Sequence, residues 1–103
     1  MQDLTHYMNG AHVAGTSGRF ADVFNPATGE VQARVPLANA AEMDQAVQFA
    51  AAAQPKWAAV NPQRRARVMM KFVELLHRDM DKLAEALSRE HGKTLPDAAG
   101  DLQ

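Results

Sequence analysis

The sequence feature that most constrains the fold is one long helical pattern, from Asn61 to Gly92. Asn61 can accept hydrogen bonds from free amides of a first helical turn, and Pro62 suits the first helical position because its missing N–H is no loss there. Gly92 tolerates the left-handed conformation that ends many helices. Asp79 offers a second cap, so we predict two helices within the 62–91 stretch, one near 62–78 and one near 80–91.

Apolar residues recur along this pattern in steps of four and three, the spacing of one buried helical face. They are Met69, Val73, Leu76, Met80, Leu83 and Leu87, with Val68, Phe72 and Leu75 widening the first half. A coiled coil would require about three to four heptads, which is more than the seam provides. The pattern therefore predicts a globular core. Glu74 with Arg78, and Glu85 with Arg89, predict ion pairs on a solvated outer face.

Residues 1–36 are predicted to form a hairpin and strands. Asn9-Gly10 suits a two-residue hairpin turn, because both central positions of that turn need positive φ. Asn25–Gly29 has the composition of a second turn, and Pro36 is expected to stop the last strand. The predicted strands are 4–8, 11–14, 20–24 and 30–35.

A further helix is predicted at 39–54. Asn39 and Glu42 have the spacing of a capping box, in which each side chain binds the backbone amide of the other residue. Helical apolar spacing follows them, and Pro55 is expected to end the helix. Because the helix is rich in alanine, we interpret it as a structural element that packs closely against a neighbour.

A last helix is predicted to begin at 94–103. Thr94 pairs with Asp97 as a cap, and Pro96 is tolerated in a first turn. A natural domain rarely ends after two turns of a well-capped helix. We therefore expect the chain to be a piece of a longer protein.

Length and composition exclude several classes of protein. A chain of 103 residues with 47% apolar content can bury one modest core, so we expect a single domain or part of one. A formal charge of −1 gives no electrostatic reason to expect nucleic acid or an anionic membrane as a partner. The sequence has no cysteine, and its start lacks the pattern of a secretory signal. We expect a cytoplasmic protein, with a mitochondrial location kept open.

Most site motifs are absent or incomplete. Gly92-Lys93-Thr94 resembles the end of a phosphate-binding loop, but Leu87 stands where that loop needs a glycine, and a helix precedes it instead of a strand. No two histidines share a helical face at metal-binding spacing, so we interpret all four as surface or supporting residues. They are His6, His12, His77 and His91.

Two groups of side chains near the long helical pattern suggest partners. Arg64, Arg65 and Arg67 crowd a helix N-terminus, where the helix dipole disfavours positive charge. We expect them to pair with carboxylates elsewhere in a larger protein, with anion binding as the alternative. Trp57 is interpreted as a core or interface anchor, with base or sugar stacking as the alternative.

The order of these motifs resembles the amino-terminal region of aldehyde dehydrogenases. The matching segments are the hairpin at Tyr7–Gly10, the turn in Phe24–Val31, Val35-Pro36, the helix after Asn39, Trp57, Arg65–Arg67 and Glu90–Lys93. Within the family, Glu90–Thr94 followed by Asp97–Asp101 most resembles the CoA-acylating methylmalonate-semialdehyde dehydrogenases, enzymes of valine catabolism.

The resemblance implies a large α/β enzyme with a dinucleotide-binding domain, a catalytic domain and an oligomerisation flap, assembled as a homo-oligomer, with a tetramer expected. In such enzymes a cysteine thiolate attacks the aldehyde, hydride passes to NAD, and the thioester goes to water or to CoA. Residues 1–103 would supply the hairpin, strands and three to four helices that pack on the Rossmann-like NAD-binding domain. The expected small-molecule partner is a semialdehyde.

The resemblance transfers no catalytic, cofactor or metal residue to this chain, because the nucleophile and the glycine-rich cofactor turn would lie beyond Gln103. Some family members hold a monovalent cation near positions that correspond roughly to Val23 and Asp101. We expect the chain alone to be inactive and marginally folded, with Phe72 and Leu75 left in water.

Other interpretations remain open. The enzyme could be another semialdehyde or aldehyde dehydrogenase of the same superfamily. Alternatively, the broad apolar face could serve a free-standing interaction module as a partner groove, or a dimerisation domain as its own interface.

Overall fold

A computed structural model describes all 103 residues and contains five strands and four helices. In chain order these are β1 Gln2–Asp3, β2 His6–Met8, β3 Ala11–Val13, β4 Phe20–Phe24, β5 Val31–Pro36, α1 Ala40–Ala58, α2 Pro62–Arg78, α3 Met80–His91 and α4 Leu95–Leu102. They form two compact units. Unit 1 comprises residues 1–24 and 31–59, and unit 2 comprises residues 25–30 and 60–103.

Unit 1 contains a three-stranded sheet in the order β1-β5-β4, with β1 parallel and β4 antiparallel to β5. The strand predicted at 20–24 is confirmed. The strand predicted at 30–35 is found at Val31–Pro36, so it includes the proline that was expected to stop it. Strand β1 was not predicted because two residues carry no periodicity. Arg34 on the central strand joins all three strands. Its Nε donates to Asp3 Oδ1 at 3.1 Å, and its guanidinium carbon lies 4.5 Å from the centre of the Phe20 ring.

The predicted hairpin is also confirmed. Strands β2 and β3 pair antiparallel, with His6 opposite Val13. Asn9 and Gly10 form the turn with φ of 53° and 75°, the positive values that favour these two residue types. Both strands are shorter than the predicted 4–8 and 11–14, because the ladder between them ends at the pair of His6 with Val13.

Helix α1 begins as predicted. The side chain of Asn39 accepts from the Glu42 amide at 2.8 Å, and the side chain of Glu42 accepts from the Asn39 amide at 3.1 Å. Both bonds of a capping box are therefore formed.

The predicted end of α1 is wrong, since the helix continues through Pro55 to Ala58. Proline removes one backbone donor, which leaves the carbonyl of Ala51 without its helical partner. Ala51 is exposed, so that carbonyl is not sealed in an apolar interior. The run of alanines before Pro55 has high helix propensity, which offsets part of the cost of the proline.

Unit 2 contains the turn 25–30 and helices α2, α3 and α4. Asn61 caps α2, accepting from the Gln63 amide at 2.7 Å, and the break at Asp79 is confirmed. The expected role of the Asp79 side chain is wrong, because its carboxylate binds the Arg78 guanidinium and caps nothing. This bond also displaces the predicted pair of Arg78 with Glu74.

The core of each unit is small. The buried apolar side chains are Ala33 in unit 1 and Ala84 and Ala98 in unit 2, and no residue of α2 is buried. Pro36 and Glu42 are also buried in unit 1. No helix is both long enough and apolar enough to cross a membrane.

Candidate functional site

The most connected polar group in unit 1 is the buried carboxylate of Glu42, which is 7% exposed. Its Oε1 accepts from the Asn39 amide, and its Oε2 accepts from the Thr16 amide at 3.2 Å. Oε2 also lies 3.4 Å from Nε2 of His6. Asn39 Nδ2 donates to Thr16 Oγ1 at 3.2 Å, which closes the cluster.

This environment lowers the pKa of Glu42. The backbone amide of Asn39 has the largest effect, because a hydrogen bond to the ionised carboxylate favours its charged form. Burial opposes this shift, while the Thr16 amide and the nearby His6 add to it. The ionised form of Glu42 is therefore favoured by two backbone amides, one in the loop before α1 and one in the loop between β3 and β4, and by the nearby His6 of β2.

In unit 2, the turn 25–30 packs against the junction of α3 and α4. Asn25 Oδ1 accepts from the Ala27 amide at 2.9 Å, which holds Pro26 at the tip of the turn. Gly92 ends α3 with a φ of 89°, and a Cβ built on it would lie 3.0 Å from Pro26 Cγ. Glycine is required here both for its backbone conformation and for space.

Lys93 follows this glycine and binds two carboxylates of α4. Its Nζ lies 3.3 Å from Asp97 Oδ2 and also contacts Asp101 Oδ2. The Lys93 side chain is 16% exposed. The hydrogen bond to Asp101 is the largest cause of a raised pKa for Lys93. Thr94 Oγ1 accepts from the Asp97 amide at 3.4 Å, as predicted for the cap of α4.

This geometry does not fit a phosphate-binding loop. Gly92 faces Pro26 where a phosphate would need open backbone amides, and two carboxylates already hold the Lys93 ammonium. Asp101, suggested by the resemblance as a cation neighbour, is likewise bound to Lys93.

A third feature is the α2 apolar face, which we define as Val68, Met69, Phe72 and Val73. These side chains are 48–53% exposed, although they have the spacing of a buried stripe. Leu75 and Leu76 are half-buried. Phe72 thus stays in water, as predicted, while Leu75 is better covered than expected.

The remaining predicted residues are scattered. His77 and His91 lie on the surface, and His12 stacks edge-on against Tyr7 with ring centres 5.2 Å apart. Trp57 is 44% exposed in the last turn of α1, so it is not a core anchor in this chain, while its role as an interface anchor stays a prediction. Arg65 Nε is buried without a hydrogen bond. No group of three histidine or acidic side chains could hold a metal ion.

Comparison with known proteins identifies the family. Residues 12–103 match the profile of the aldehyde dehydrogenase family. The chain belongs to this family. Its strands and four helices match the amino-terminal portion of the aldehyde dehydrogenase fold, as the order of its motifs predicted.

Curated relatives and solved structures narrow the comparison. The chain is 46% identical over 103 residues to the malonate-semialdehyde dehydrogenase of Pseudomonas aeruginosa, and it spans 20% of that protein. It is 41% identical to the methylmalonate-semialdehyde dehydrogenase of Oceanimonas doudoroffii, with a TM-score of 0.93 over 100% of this chain and 21% of the other.

A protein of Sinorhizobium meliloti, assigned as a methylmalonate-semialdehyde dehydrogenase and crystallised with NAD, is 65% identical. Its TM-score is 0.91, over 96% of this chain and 20% of that one. The chain thus spans about a fifth of the length of the relatives that it matches.

Sequence reasoning missed two of these clusters. Lys93, Asp97 and Asp101 are spaced by four residues, a helical periodicity that could have predicted the contact of Lys93, just before α4, with the two aspartates on it. Nothing in the sequence marks Thr16 or His6 as partners of Glu42, because 26 residues separate Thr16 from Glu42 and the contact depends on the tertiary fold.

Proposed function

We propose that this chain is the amino-terminal part of an NAD-dependent malonate- or methylmalonate-semialdehyde dehydrogenase, and that its own role is structural. The observation that carries this proposal is the match of the whole chain to such enzymes at 41–46% identity. The chain would supply a scaffold for the dinucleotide-binding domain. The reacting groups would come from the remainder of the protein.

The parent enzyme would oxidise the semialdehyde with NAD as the hydride acceptor and CoA as the acyl acceptor. It would act through a cysteine nucleophile outside these residues, since the chain contains no cysteine. We further propose a cytoplasmic homo-oligomer, a tetramer by family resemblance, with a role in valine catabolism.

The structural role rests on the α2 apolar face. Large apolar side chains each gain roughly 1.5–3 kcal/mol from full burial. Val68, Met69, Phe72 and Val73 are about half exposed and lie side by side on one helix. Later residues of the parent enzyme are the proposed occupant of this face, because the matched relatives are about five times as long as the chain.

The test begins with the coding sequence after Gln103, followed by an assay of the full gene product. We expect NADH formation with malonate or methylmalonate semialdehyde, release of a CoA thioester, and far lower activity when CoA is omitted. Residues 1–103 alone, at the same concentration, are the control and should form no NADH. Equal turnover without CoA, or a preference for long uncharged aldehydes, would contradict the substrate proposal.

The exposed α2 apolar face also favours a second candidate, a free-standing interaction or dimerisation module. If the natural gene ended at Gln103, this alternative would replace the enzyme proposal. A dimer that uses the face would show helicity that rises with protein concentration. Circular dichroism over a hundredfold range of concentration distinguishes it from a monomeric docking module.

A further inference from the structure

His6 connects the β2–β3 hairpin to helix α1 through a contact that is not a formed hydrogen bond. Its Nε2 is buried and has no hydrogen-bond partner, yet it lies 3.4 Å from Glu42 Oε2. The His6 side chain is 20% exposed and that of Glu42 is 8% exposed. A charge placed on this imidazole would therefore act on the carboxylate with little solvent between them.

Open space borders the contact between the hairpin and α1. A cavity of about 210 Å³ lies beside the His6–Glu42 contact, lined also by Tyr7, Met8 and Met43. A second cavity, of about 500 Å³, borders the other side of Glu42. The contact between these two side chains is therefore bordered by space that a side chain could enter when the hairpin moves.

The space around His6 is shaped to hold the ring. A Cβ on Gly15 would lie 2.8 Å from Pro36 Cβ and 3.3 Å from His6 Nε2, so glycine at this position leaves room for the imidazole. Strand pairing places His6 opposite Val13, which cannot titrate.

The other charged groups nearby are few. His6 is the one group whose charge acts on the Glu42 carboxylate. Asp44 lines the larger cavity on α1. On β3, His12 contacts Thr5 and Tyr7 instead of Glu42, with its Nδ1 3.0 Å from Thr5 Oγ1. A proton on His6 would therefore add a positive charge beside the Glu42 carboxylate, whereas a proton on His12 would not.

We propose that His6 and Glu42 form a proton-operated latch that docks the β2–β3 hairpin on helix α1. When solvent protonates His6, its imidazolium faces an ionised carboxylate and the hairpin is held by a charge-assisted contact. When His6 loses that proton, the attraction is lost while the other hydrogen bonds of Glu42 remain. When Glu42 is protonated in acid, the attraction is also lost, because the carboxylate no longer carries a negative charge.

Hairpin docking should therefore be strongest at the pH where His6 is charged and Glu42 is ionised, and should weaken on both sides. The test is hydrogen exchange, read by mass spectrometry, on the full gene product that carries the chain. Protection of peptides covering residues 4–14 is followed across pH and corrected for intrinsic exchange rates. This readout needs no catalytic activity, so it stands whether or not the proposed dehydrogenase function holds.

Three variants separate the possibilities. His6→Gln keeps an N–H near Glu42 but cannot titrate. Protection of residues 4–14 should therefore be low and nearly constant from neutral to alkaline pH in this variant. His6→Lys stays charged, so protection of residues 4–14 should be high and nearly constant over the same pH range. His12→Gln is the matched control in the same hairpin and should keep the wild-type profile.

In the wild type we expect protection to fall about threefold between neutral and alkaline pH. A wild-type profile flat from neutral to alkaline pH would overturn the proposal. The proposal would also be overturned if the pH dependence of protection persisted in His6→Gln, or if His12→Gln removed it equally.

Discussion

Gly92 lies so close to Pro26 that a Cβ added to the glycine would be only 3.0 Å from Pro26 Cγ. The contact joins the two segments that gave the family resemblance its specificity, the Asn25–Glu30 turn and Glu90–Lys93. These motifs, about 65 residues apart in sequence, are thus two sides of one packing contact.

Replacement of Gly92 by alanine should destabilise the protein more than its backbone conformation alone requires. A positive φ costs a non-glycine residue about 1–2 kcal/mol, and the contact with Pro26 adds to this. Gly29→Ala is the matched control, because Gly29 has a φ of 76° and open space around its added Cβ. Urea unfolding of the gene product should show a larger loss for Gly92→Ala. Equal losses would mean that Pro26 yields without cost.

Lys93→Met should loosen α4. The substitution leaves Asp97 and Asp101 one helical turn apart without the ammonium between them, so like charges repel. We expect several-fold faster amide exchange over residues 95–102. Lys71→Met is the control, since Lys71 binds Glu74 on an exposed helix surface and its loss should change little.

The same ammonium predicts a pH dependence. Because the pKa of Lys93 is raised above its ordinary 10.5, its contribution to stability is complete below that value and is lost as pH rises through the folded pKa. Exchange over α4 in the wild type should therefore accelerate in strong alkali beyond the intrinsic rate. In Lys93→Met this extra acceleration should be absent.

Acid should weaken the start of α1 through Glu42. Its pKa lies below the ordinary 4.5, so its contribution to stability is present above pH 4.5 and is lost as pH falls through the folded value. Exchange at residues 40–45 should rise in acid in the wild type and be nearly independent of acid in Glu42→Gln. Asp44→Asn, a neighbouring exposed carboxylate, should behave like the wild type.

The α2 apolar face predicts a difference between the chain and its parent protein. Phe72→Ala should cost about 3–5 kcal/mol in the full gene product if later residues cover the ring. In residues 1–103 alone it should cost far less, because the ring is already 52% exposed. Met70→Ala, at a position 68% exposed and outside the face, should stay within about 0.5 kcal/mol in both. A small loss for Phe72→Ala in the full product would show that the face remains open.

Residues 1–103 alone should unfold gradually on heating. Buried apolar side chains are limited to three alanines and Pro36, against a typical folded stability of about 5–15 kcal/mol. Far-UV circular dichroism should show a broad, weakly cooperative melt. A sharp transition well above room temperature in a monomer would contradict this expectation.

The sequence predicted the local elements well because their signals are local. Asn39 with Glu42, Asn61 with Pro62, and Gly92 each act within one helical turn, and all three confirmed a predicted boundary. Pro55 misled because a proline only weakens a helix, and the alanine-rich turn before it tolerates the lost bond.

What the sequence could not reveal depends on distant contacts. The short strand β1 forms because Gln2 and Asp3 lie beside β5, not because of any pattern of their own. In the same way, Glu42 was recognised as half of a capping box but not as the partner of His6 and Thr16. The family resemblance came from turn motifs, whose packing role emerged only with Gly92 placed against Pro26.

The α2 apolar face also affects how such a protein is made. Ribosomes add about 5–20 residues per second, and the matched relatives continue for roughly four times the length of this chain. Tens of seconds would therefore pass between the emergence of Phe72 and the completion of a protein of that length. Until the residues proposed to cover it emerge, the α2 apolar face of the nascent chain would remain exposed to water, where chaperones that bind apolar segments could reach it.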